Sequence, residues 1–190
     1  DVVALHRAGL DLDIALATTT ASDLPEEVLG VPVDRGLAWP VNGLADDGTL
    51  DALRAAGARA VVLSAASFPP SPEVTYTPSG SLDLAGGGSP LRAALADPTV
   101  SRLVAAPRKA VEPSQVDPVV RRQTAIATIA MTTLELPTTA RSLVVAPDLW
   151  WRVDTTMTRD LVATLDSPWS VPQPLAELLA SPASDVPRAR

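Results

Sequence analysis

The stretch GLAWPVNGLADDGTLDALRAAGARAVVLS, residues 36–64, decides the reading of this chain, because it runs strand, loop, helix, strand. Gly36, Leu37, Ala38 and Trp39 form a short apolar run that Pro40 stops, and Val41, Asn42, Gly43 and Leu44 carry the chain through a loop. Residues 47–57 then read as a one-sided helix. Leu50 and Leu53 with Ala52, Ala55 and Ala56 make a narrow apolar stripe, Asp46 or Asp47 can cap the free N–H groups, and Gly57 suits a left-handed turn at the end. Ala60, Val61, Val62 and Leu63 follow without a polar interruption. A short run of this kind, bounded by turn signals, fits a strand buried on both faces, as parallel sheets under helices require.

Composition narrows the function classes. At 190 residues with 46% hydrophobic side chains, the chain can bury a core as one domain and is not disordered as a whole. The apolar content is mostly Ala, Val and Leu; against one Phe and one Tyr, four Trp stand out. A net charge of −7 without any Lys/Arg-rich run argues against nucleic acid as a partner. The absence of Cys removes thiolate zinc sites and thiol catalysis, and leaves the redox compartment open. His6, the sole histidine, rules out a His-rich metal site and suits a surface or packing role, so neither metal nor cofactor is expected. No stretch approaches the roughly 20 apolar residues of a membrane span, and the first residues do not form a signal peptide.

Outward from the opening unit, residues 2–8 read as a short helix, residues 12–17 alternate as a strand, and Asp23 can cap a single turn over 25–29 closed by Gly30. Beyond Ser64 the rhythm breaks: Pro69, Pro70, Pro72 and Pro78 forbid a helix, and 74–77 with 81–84 are expected to pair as a small hairpin inserted within residues 65–90. Residues 90–96 and 98–105 read as short helices, and a long one starts at Asp117 and Pro118 and ends at Pro137. Residues 142–146 are the next buried strand. Asp154 caps a helix to about Leu165, a last helix falls near 174–179, and residues 181–190 read as a frayed linker, leaving 1–180 as the domain.

Alternating strands and helices predict parallel pairing, with ligands at the C-terminal strand ends. Three ends qualify: Trp39, Pro40, Val41, Asn42; Ser64 with Ser67, Phe68 and Pro69; and Pro147, Asp148, Leu149, Trp150, Trp151. Trp39, Asn42, Trp150 and Trp151 are the candidate ligand-binding residues, since indole faces pack on the apolar faces of pyranose rings; the plainer alternative is that the tryptophans fill the core. Asp148 is the best catalytic candidate. Glycoside hydrolysis needs a second carboxylate, to be sought among Asp1, Asp13, Asp46 and Asp47, of which the last two are more simply helix caps. No G-x-S-x-G occurs, and Gly86-Gly87-Gly88 lacks the frame of a phosphate loop.

Leu37-Ala38-Trp39-Pro40, followed by Thr49-Leu50, Leu53, Gly57 and Val61-Val62-Leu63-Ser64, resembles the later strands of the glycoside hydrolase/deacetylase type of (β/α) barrel, as in glycoside hydrolase family fifty-seven. Arg122-Gln123, Ser142-Leu143-Val144-Val145-Ala146-Pro147 and Ser167-Pro168-Trp169-x-x-Pro172 resemble an uncharacterised actinobacterial envelope family. Its members are large, exported, membrane-anchored proteins typically encoded beside the lipid II flippase. Asp1-x-x-Ala4-Leu5 would match the tail of an aspartate-containing strand-end motif there, which implies that the first barrel strands lie upstream and that this α/β barrel is incomplete.

The departures shape the functional expectation. Where the family-fifty-seven enzymes place a Glu after the Trp-Pro-like strand end, this chain has Val41 and Asn42, and the related deacetylases need an Asp and two His on a metal. The resemblance therefore implies an extracytoplasmic domain that no longer catalyses and binds a cell-wall glycan, or a membrane protein of envelope assembly. The rivals are a glycoside hydrolase using Asp148 and Asp1, or a residue upstream of it, and a purely structural domain that positions a membrane partner.

Overall fold

In the computed structural model, the described residues are 2–86, 89–105, 117–148 and 151–188. They form an α/β domain around a four-stranded mixed sheet, with β1 (Leu37–Ala38), β2 (Ala60–Ser64), β3 (Ser81–Leu84) and β4 (Leu91–Ala96) in the order β1-β2-β4-β3. β1 and β2 run parallel, as do β2 and β4, with Val61 opposite Ala93; β3 lies antiparallel on β4. The sheet does not close, so the described residues make an open sheet rather than a barrel.

Helices α1 (Val2–Arg7) and α2 (Asp11–Leu29) precede the sheet, and α3 (Asp47–Ala55) links β1 to β2. Asp46 caps α3 by accepting the Thr49 amide at 2.9 Å. Leu50 and Leu53 on the stripe of α3 meet Val61, Leu63, Ala93 and Leu95 on one face of the sheet. Val62 and Ala94, pointing the other way, pack against Leu178 of α7 (Leu175–Ala180) with Val144 and Ala146. Two covered faces are the reason β2 is apolar at every position from Ala60 to Leu63 rather than at alternate ones. A third cluster joins Val100 and Val104 of α4 (Pro98–Val104) to Met157 of α6 (Thr155–Leu165) and Ile129 of α5 (Pro118–Glu135). Asp97, Asp117 and Asp154 cap α4, α5 and α6.

Several expectations need correction. The alternating residues 12–17 lie inside α2, which also absorbs the expected turn at 25–29. Its threonines stay helical by returning their hydroxyls to the preceding turn, Thr18 to Ile14 O at 2.8 Å and Thr19 to Ala15 O at 3.1 Å. Residues 91–96 are a strand, not a helix: Leu, Arg and Ala are good helix formers, but intrinsic propensity is a weak constraint and pairing on both edges overrides it. The hairpin is displaced as well, because 81–84 pairs with β4 instead of 74–77. Residues 142–146 run beside β4 but make one bridge, Val144 to Ala96, supported by Asp97 N–H donating to Val144 O. The tail expected to fray is tied down: Ser184 N–H donates to Ser81 O, and Arg188 Nη1 to Phe68 O at 2.8 Å.

Candidate functional site

The C-terminal ends of β1, β2 and β4 and residues 146–148 surround a cavity of about 280 Å³. Trp39 enters it directly from β1, since Pro40 breaks the strand one residue later. The chain then tightens into a 3-10 turn at Val41–Gly43, in which Asn42 takes left-handed backbone angles (φ 57°, ψ 15°). Such a conformation is uncommon for a residue with a side chain, though Asn tolerates it best. Gly43 explains the constraint. It also has positive φ, and a Cβ there would sit 2.6 Å from the Ser64 backbone nitrogen, so the turn is pressed against the end of β2 and Asn42 is held at the cavity wall.

On the opposite wall, Ser101 of α4 accepts the Ala146 N–H at 3.0 Å. Together with the Asp97–Val144 bond this fastens residues 144–148 to the start of α4 and brings Asp148 to the same cavity as Trp39 and Asn42. Ser64 and Arg102 complete the polar lining. Trp39 is 53% exposed, which leaves an indole face available beside the groove. The combination of an aromatic plane with an amide, a hydroxyl, a guanidinium and a carboxylate can stack on a sugar ring and hydrogen-bond its hydroxyls.

Of the predicted residues, the structure thus gathers Trp39, Asn42 and Asp148. Trp151 is elsewhere: it packs half-buried against the Val100, Val104 and Met157 cluster and does not line the cavity. Asp1 and Trp150 lie outside the described residues. Asp46 serves as the α3 cap and pairs with Arg7 at 3.1 Å, and the hydroxyl and amide of Thr49, with Arg7 behind them, pull its carboxyl down to about 2. Asp13 is exposed on α2, and His6 pairs with Asp11. Phe68 at the second strand end is buried in the core.

Asp148 is the one carboxylate among the described residues that line this cavity. No cluster of three His, Cys, Asp or Glu side chains suited to a metal ion occurs among the described residues. Arg102 was not foreseen. Its signal is the strand β4, whose end aims α4 at the site, and the helix-favouring composition of 91–96 hides that end from the sequence.

Fold and cavity define an α/β domain with a strand-end site, similar to a glycosidase fold. The chain belongs to a family of unknown function, DUF6049, whose sequence profile matches residues 3–189. No curated protein matches it. Among solved structures it is similar to 4-alpha-glucanotransferase from Thermococcus litoralis, with a TM-score of 0.56 and 14% sequence identity, over 88% of this chain and 26% of that one. The chain thus spans about a quarter of the enzyme's length, and at this identity the likeness concerns the fold.

Proposed function

We propose that this is a non-catalytic glycan-binding domain built on part of a (β/α) barrel, acting on the extracytoplasmic side in cell-envelope assembly. The observation that carries the reading is the convergence of half-exposed Trp39 with Asn42, Ser64 and Arg102 in one strand-end cavity where Asp148 is the one carboxylate of the described lining. Stacking and hydrogen bonding suffice for binding, whereas glycoside cleavage calls for two carboxylates across the bond at roughly 5–10 Å. Envelope location and membrane anchoring rest on the motif resemblance; among the described residues no helix is long and apolar enough to cross a membrane.

Calorimetric titration with muropeptides and cell-wall oligosaccharides tests the proposal. Saturable binding that Trp39→Ala weakens about tenfold is expected from the loss of one stacking contact. Equal binding by the variant, or none by the parent, removes the glycan site.

A protein partner is the second reading, favoured by the exposed apolar residues of α2, among them Leu12, Leu16, Leu24 and Val28. In that case Leu16→Glu abolishes association with an envelope membrane protein while Trp39→Ala leaves it intact.

A further inference from the structure

A second and larger cavity, about 470 Å³, adjoins the strand-end site. Pro98 lines both; Ala65 and Ala66, which line the larger one, directly follow Ser64 of the smaller. The larger cavity lies under the proline-rich loop that interrupts the helix–strand rhythm. Its apolar walls come from Pro69, Val74, Tyr76 and Pro78 of the loop, facing Leu143 and Val144.

The loop is a fastened roof. Glu135 at the end of α5 accepts the Thr77 N–H at 2.7 Å and its hydroxyl at 3.2 Å. Arg141 Nη1 donates to Thr77 O at 2.8 Å, and its guanidinium lies 5.6 Å from the centre of the Tyr76 ring. On the other side Arg188 donates to Phe68 O and Ser79 O, and Ser71 N–H donates to Pro187 O. These bonds also engage the charged groups on the wall: Glu135 and Arg188 hold the roof, and Asp97 caps α4. What remains for a ligand is mainly hydrocarbon, in a space large enough for an aromatic ring or a short alkyl chain.

A polar, tryptophan-bearing cavity and an apolar one therefore meet at Pro98, at the same end of the sheet. We propose that they form one site for an amphipathic glycoside: the sugar occupies the strand-end cavity, and an apolar aglycone enters the cavity under the 69–78 loop. This rests on the glycan reading and specifies the ligand class for it.

The test compares methyl and octyl glycosides of glucose and of N-acetylglucosamine, below the micelle concentration, by calorimetry on the parent chain, Val74→Asp and Trp39→Ala, with octanol as control. The octyl glycoside of at least one pair binds about tenfold or more tightly than its methyl partner, because several methylenes leave water. Val74→Asp brings the ratio near one without weakening the methyl glycoside, and Trp39→Ala weakens both members equally. Equal affinity of methyl and octyl glycosides in the parent overturns the amphipathic site and leaves the glycan reading standing. Octanol binding as tightly as the octyl glycosides, unaffected by Trp39→Ala, overturns the glycan reading as well, and so does the failure of every glycoside to bind.

Discussion

Helices α3 and α2 carry similar apolar side chains and meet opposite fates. In α3, Leu50 and Leu53 are buried against the sheet, whereas in α2 Leu12 is 87% and Leu16 66% exposed, with Ile14 buried. The difference lies in what the topology sets beside each helix. The parallel β1–β2 crossover places α3 across the sheet, while α2 precedes the first strand and touches the body chiefly through α1 and α3, its Asp23 and Glu26 pairing with Arg35 of the connector that follows it. Apolar content thus predicts burial only where chain connectivity also supplies a surface to cover it.

Leu50→Ala removes a fully buried side chain from the core cluster between α3 and the sheet and is expected to cost about 3 kcal/mol in urea unfolding. Asp97→Ala deletes the oxygen that receives Val100 N–H at 2.7 Å and is expected to cost about 1 kcal/mol; it also loosens the wall shared by the two cavities. Leu16→Gln on α2 should change stability by less than about 0.5 kcal/mol, and a cost equal to that of Leu50→Ala would break the contrast.

Acid provides a finer probe of how α3 is joined to the helices that precede the sheet, because Asp46 caps α3 and pairs with Arg7 of α1. Its carboxyl is held at about 2 in the folded chain against 3.8 ordinarily, chiefly by Thr49. A depressed acid stabilises the fold above its unfolded value and loses that contribution as pH falls from about 4 toward 2. Thermal melts across that window should show a drop that Asp46→Asn flattens, since the amide can still accept the cap bond but does not titrate.

The same contrast explains what was legible beforehand. β2 and α3 were readable because Val61, Val62 and Leu63 have no polar interruption and Leu50 and Leu53 share a stripe. Trp39, Asn42 and Asp148 share one cavity through their positions near the prolines that end their extended segments, which the sequence displays directly. β4 was not readable, because Leu91, Arg92 and three alanines also suit a helix and only its neighbours β2 and β3 make it a strand. Losing that strand hid Arg102. Trp151 departs from the site for a different reason: it packs on the α4–α6 cluster of Val100, Val104 and Met157, a placement that local sequence does not encode.

In the proposed function the strand-end cavity binds a glycan and leaves it intact. Mass spectrometry of muropeptides and envelope glycans, after incubation with the parent chain and with Asp148→Asn, tests it most directly when paired with retention of the same glycans on immobilised protein. Unchanged ligand masses with retention by both proteins, and reduced retention by Trp39→Ala, are the predicted result. Cleavage or transfer products formed by the parent and lost in Asp148→Asn would contradict the account and identify a working carbohydrate-active enzyme.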